Sequence, residues 1–173
     1  IVDEAYYEYV SDKSYADSMK HLRNGRNIII MRTFSKIYGL AGMRIGYGIS
    51  KPDILEEMNK LREPFNTSSL AQEAARAALG DKAHLEYSKQ INLDGKKYLY
   101  KELDDLGVKY VQTEANFLFV IPGMDANRVY EALLKRGVIV RPMGDQALRI
   151  TIGLKDENEK LIKELTAVLE SDK

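Results

Sequence analysis

Lys36 sits in the run Thr33-Phe34-Ser35-Lys36, and Arg44 follows it after eight residues. Asp3 and Tyr6 lie upstream, in Val2-Asp3-Glu4-Ala5-Tyr6. A lysine amine can condense with an aldehyde. A carboxylate can hold a ring nitrogen protonated, and a phenol can donate to a ring hydroxyl. A guanidinium with hydroxyls beside it matches the oxygens of a phosphate. One amine, one acid, one phenol, one guanidinium and two hydroxyls together meet the needs of pyridoxal phosphate, whose protonated ring acts as an electron sink.

These groups must be gathered by strands. Ligands of open α/β sheets collect beyond the carboxyl ends of the strands. Asn27 to Arg32 is a continuous apolar run, and its β-branching predicts a strand buried on both faces, as in a parallel sheet. Ile1-Val2 reads as the end of a second buried strand. If the two run parallel in one sheet, Asp3, Tyr6 and Lys36 reach the same crevice. Met43 to Ile49 reads as a further strand, in which Gly46 and Gly48 mark close approach of a backbone or a ligand. Between them, Gly39 and Gly42 let a polar loop pass near a ligand.

Ser50 with Pro52 starts a helix whose apolar face is Ile54, Met58 and Leu61. Ser68 or Ser69 starts an alanine-rich helix that Gly80 closes. A long helix follows, roughly from Ala83 to Leu106, with Gly95 as a bend. After Gly107 short strands (108–111, 116–121, 138–141 and 148–152) alternate with helices over about 125–136 and 155–170. That is an α+β unit with its own core. The expected domains are residues 1–82 and 83–173.

The blocks Val2-Asp3-Glu4-Ala5-Tyr6 and Thr33 to Tyr47 resemble the two signature blocks of the fold-type I aminotransferases, and within them most closely the histidinol-phosphate aminotransferases. Leu148 to Gly153, followed by the acidic helix start Asp156-Glu157-Asn158-Glu159, is similar as well. The resemblance covers essentially the whole chain. It implies an α/β fold: the second half of a large, mostly parallel cofactor domain, then a small α+β carboxy-terminal domain. It implies Lys36 as the cofactor lysine and proton carrier, Asp3 on the ring nitrogen and Tyr6 on the ring hydroxyl. Thr33, Ser35 and Arg44 would hold the phosphate. Arg149 and Arg141 would bind the anionic tail of the substrate, with Asn116 a weaker candidate beside it. The implied reaction moves an amino group between L-histidinol phosphate and 2-oxoglutarate in a cytoplasmic homodimer. Related aminotransferases of aromatic or other amino acids, and a threonine-phosphate decarboxylase, share the scaffold.

The family chain is about twice as long, and parts of its cofactor site lie upstream of the position of Asp3. A start at Ile1-Val2, without Met, reads as a fragment that is inactive alone, because a half-site leaves the cofactor in water, where preorganised electrostatics weaken. A reading of a different class is a non-catalytic folded or dimerising module. Composition narrows the rest. The 173 residues carry 26 basic and 26 acidic side chains, which argues against a nucleic-acid binder. No cysteine means no disulfide, thiolate site or cysteine nucleophile, and two histidines, His21 and His84, read as surface groups rather than a zinc site. No apolar run approaches the roughly 20 residues of a membrane span.

Overall fold

The computed structural model describes residues 1–171. The chain divides into two compact units, Ile1–Tyr87 and Ser88–Lys173. Among the described residues no helix is long and apolar enough to cross a membrane.

The first unit is built on three strands, β1 (Val2–Asp3), β2 (Ile30–Thr33) and β3 (Gly46–Ile49), in that order across the sheet. β1 and β2 run parallel, with Asp3 opposite Met31. β3 returns antiparallel to β2, with Gly48 opposite Met31 and Gly46 opposite Thr33. The expected mostly parallel sheet therefore holds for the first pair, and the sheet as a whole is mixed. Three sequence expectations need correction. β2 begins at Ile30, not Asn27, and Met31 is 41% exposed, so the strand is buried on one face only. Alternation explains this: Ile30 is fully buried, and its neighbour points the other way. The third strand starts at Gly46, because Ala41–Met43 form a 3-10 turn. Gly46 does lie against backbone, since a Cβ there would stand 2.7 Å from the Arg32 carbonyl oxygen.

Three further helices complete this unit: α1 (Ser18–Arg23), α2 (Pro52–Leu61) and α3 (Ser69–Gly80). Pro52 opens α2, as its fixed φ favours, but Lys51 is the cap and Ser50 instead donates its hydroxyl to the Ile28 carbonyl, 2.7 Å away. Ser68 caps α3 by accepting from the Ala71 amide. Ala71 and Ala75 are the buried face of α3, and Ile30, Phe34 and Ile37 are buried with them in this unit. α4 (Lys82–Asp105) continues into the second unit.

The second unit is a four-stranded antiparallel sheet, ordered β4 (Lys109–Val111), β5 (Phe117–Ile121), β7 (Ala147–Thr151), β6 (Arg141–Met143). α5 (Ala126–Lys135) and α6 (Lys155–Glu170) supply Val129, Leu133, Leu161 and Leu165 to a core shared with Leu118, Val120, Leu148 and Ile150. The expected strand over 138–141 lies later, at Arg141–Met143, with Pro142 tolerated because β6 is an edge strand. Gly95 is a packing site: a Cβ there would stand 2.5 Å from Ile152 Cγ2 and 3.0 Å from Asn158 Nδ2.

Candidate active site

Local chemistry turns the chain out of β2 at the place where Lys36 is needed. The Thr33 hydroxyl accepts from the Ser35 amide at 3.0 Å, a side-chain turn that ends the strand. Phe34 and Ile37 then bury their side chains, at 4% and 2% exposure, and leave Ser35 half-buried and Lys36 exposed between them. The Gly39 amide donates to the Lys36 carbonyl and the Leu40 amide to the Phe34 carbonyl, both at 2.9 Å, which closes the loop. Gly39 takes φ +70°, open to glycine without a Cβ penalty.

The same loop explains the eight-residue spacing to Arg44. After the 3-10 turn the chain comes back alongside itself, and the Phe34 amide donates to the Ile45 carbonyl at 3.2 Å. Ser35 and Arg44 therefore flank one backbone hydrogen bond. Arg44 itself is left-handed, φ 51° and ψ 53°, and its Nη1 donates to the Ala41 carbonyl at 2.7 Å.

On β1, the Asp3 carboxylate accepts from the Ala5 amide at 3.0 Å and is otherwise open to solvent. That turn leads to Tyr6 and a short 3-10 stretch, Tyr7–Tyr9. The Lys36 Nζ lies 5.3 Å from the centroid of the Tyr6 ring. The strand register puts Asp3, Met31 and Thr33 on one face of the sheet, together with the bare positions Gly46 and Gly48. The structure thus brings Asp3, Tyr6, Thr33, Ser35, Lys36 and Arg44 into one unit and one end of one sheet.

The remaining candidates lie in the second unit. Arg141 and Arg149 are register partners across β6 and β7, so their side chains share one sheet face. The Arg149 guanidinium carbon stands 5.0 Å from the Phe117 ring centroid, and its Nε is buried without a hydrogen-bond partner among the described residues. Asn116 is half-buried before β5, and its carbonyl accepts from the Ile152 amide at 2.9 Å, which joins β5 to β7.

Residue-by-residue reading missed two supports of the site. His84 is exposed, as expected, yet its Nε2 lies 2.9 Å from the carbonyl of Ile37, the residue after Lys36. Glu4 and Arg32 form a buried ion pair beside Asp3 and Thr33. The signal for that pair was an acid and a base placed inside apolar strand ends.

The comparisons with known proteins agree in one direction. A family model described as aminotransferase class I and II matches residues 1–165. A histidinol-phosphate aminotransferase of Moorella thermoacetica is 50% identical, over 98% of this chain and 45% of its own length. One from Nitrosococcus oceani is 47% identical over 98% and 47%. The chain spans about half the length of the curated relatives it matches. Among solved structures, histidinol-phosphate aminotransferase from Sinorhizobium meliloti in complex with pyridoxal-5'-phosphate superposes with a TM-score of 0.89 at 30% identity, over 99% of this chain and 48% of that one. With its lysine loop, acidic strand end and paired arginines, and a family match that runs through nearly its whole length, this chain belongs to the class I and II aminotransferases.

Proposed function

We propose that the chain is the lysine-bearing half of a pyridoxal-phosphate aminotransferase that moves an amino group between L-histidinol phosphate and 2-oxoglutarate. One observation carries the reading: an exposed amine, Lys36, stands 5.3 Å from the Tyr6 ring at the end of a sheet that also bears Asp3, Ser35 and Arg44. The donor set fits the cofactor in kind, with an acid for a ring nitrogen, a phenol for a ring oxygen, and two hydroxyls and a guanidinium for a phosphate. The names of the relatives support histidinol phosphate as one of the two substrates.

Pyridoxal phosphate, when bound, supplies an aldehyde that takes up the amino group and a ring that accepts the electron pair freed at the substrate carbon. The chain's residues do the rest. Asp3 holds the proton on the ring nitrogen. Tyr6 donates its phenol proton to the ring oxygen. Thr33, Ser35 and Arg44 orient the phosphate and so fix the ring against Lys36. Lys36 would hold the cofactor through its amine at rest and, once free, would take the proton from the substrate carbon and deliver it to the former aldehyde carbon, on the far side of the shared nitrogen. Arg141 and Arg149 seat the anionic tail, a phosphate in one half-reaction and a carboxylate in the other, with Asn116 beside them.

In the same reading residues 1–82 belong to the large cofactor domain and 83–173 to the small one. The working protein is a longer cytoplasmic polypeptide that pairs as a homodimer, and the present chain alone does not turn over. The test is direct. Pyridoxal phosphate added to the chain, then borohydride and peptide mapping, is expected to mark Lys36. Label scattered over other lysines, or no label, defeats the reading in favour of a folded module without cofactor.

A further inference from the structure

The ion pair on the reverse face of the same sheet does work that its stability alone does not explain. The Glu4 side chain has no solvent exposure and that of Arg32 only 14%. Arg32 Nε donates to Glu4 Oε2 at 2.8 Å, and Nη2 stands 2.8 Å from the same oxygen. The guanidinium also lies 3.7 Å over the Tyr7 ring, and Tyr47 is the cross-strand partner of Arg32 on β3. Taking two charges out of water is costly, and apolar residues of similar size commonly hold a core as well or better. Glu4 Oε1 sharpens the point: it is buried and finds no partner among the described residues. What a directional pair adds over an apolar one is a fixed distance and orientation.

That distance spans two segments of the proposed site. Glu4 follows Asp3, its amide donates to the Met31 carbonyl at 2.8 Å, and Arg32 precedes Thr33. Tyr7 follows Tyr6. Strand alternation puts the ion pair on one face and Asp3 and Thr33 on the other. We infer that Glu4 and Arg32 are positioning residues, a strut that sets the separation between the segment bearing Asp3 and Tyr6 and the segment bearing Thr33, Ser35 and Lys36. The inference rests on the proposed cofactor site for its purpose, but its geometry can be tested without cofactor.

The experiment compares wild-type chain with Arg32→Met, Arg32→Lys, Glu4→Gln and the double variant Glu4→Gln/Arg32→Met. Amide hydrogen exchange is measured without cofactor, and pyridoxal phosphate affinity is read from the visible absorption of the bound form. Exchange at residues 2–6 and 33–36 is expected to rise together, about 10-fold, in Arg32→Met and Glu4→Gln, while α3 keeps its wild-type rates. Cofactor affinity falls by about 10-fold with it, as misplacement of binding groups predicts. Arg32→Lys restores most of both, and the double variant is no worse than either single one. A uniform rise across the first unit, unchanged exchange at 33–36, or unchanged cofactor affinity overturns the strut. A wild-type chain that takes up no cofactor sinks the proposed function, while the exchange pattern still decides whether the strut exists.

Discussion

Arg141 and Arg149 face each other across β6 and β7, two like charges in register on one sheet face. Directly opposed like charges destabilise a sheet, and an anion seated between them removes that cost. Inorganic phosphate is therefore expected to raise the unfolding temperature of the second unit by about 2–4 °C. Arg149→Ala or Arg141→Ala should abolish most of that rise. Differential scanning calorimetry with and without phosphate reads the effect, and an equal rise in both variants would refute the anion site.

Gly95→Ala sets two effects against each other. Alanine gains about 1 kcal/mol of helix propensity over glycine. Its Cβ would meet Ile152 Cγ2 at 2.5 Å, and Asn158, which bonds Gly153 through both its amide groups, cannot move freely. Overpacking of this kind costs about 1–3 kcal/mol, so the net change is destabilising. Denaturant titration of the variant checks the sign.

Arg44→Gly separates backbone from side chain. A left-handed non-glycine residue costs about 1–2 kcal/mol, and glycine loses about 0.5–1 kcal/mol more entropy on folding. The variant is expected to be as stable as wild type or slightly more so, yet to bind pyridoxal phosphate at least about 10-fold more weakly because the guanidinium is gone. Melting curves and cofactor titration on the same preparation test both halves.

Burial pushes the Tyr9 phenol above its ordinary 10.0, and the Glu8 carboxylate and Tyr6 add to the shift. Tyr38 is raised as well, by burial and then by Glu8 and Tyr47. A group whose pKa is higher in the folded chain binds more protons there than when unfolded. Its stabilising effect is complete below the unfolded value and disappears as pH climbs through the folded one. Folding stability should therefore decline from about pH 10 upward. Tyr9→Phe should flatten that decline, as measured by urea unfolding at a series of alkaline pH values.

Much of this was legible because short-range chemistry is strong where it matters. The serine cap of α3, Asp125 accepting from two amides at the start of α5, and the glycine after α5 each follow from local hydrogen-bonding needs. The cluster of Ser35, Lys36 and Arg44 was visible as spacing, although the backbone bond from Phe34 to Ile45 that explains the spacing was not. Apolar runs overstate the length of a strand. Asn27 to Ile29 look like strand by composition, yet lie outside β2. The partner of His84 is invisible in the sequence, and the acid and base in the strand ends do not say that Glu4 and Arg32 pair, since contacts across 47 and 28 residues leave no periodic trace.

The two cores differ in depth. The second unit closes over Leu99, Leu103, Leu118, Leu133, Leu148 and Leu165, all nearly inaccessible, whereas the first relies on Ile30, Phe34, Ile37 and two alanines of α3. Heating should thus melt the reactive-amine end of the molecule at a temperature where the leucine-rich end still holds. Occupancy by a vitamin-derived ring would then lift only the earlier of two calorimetric steps.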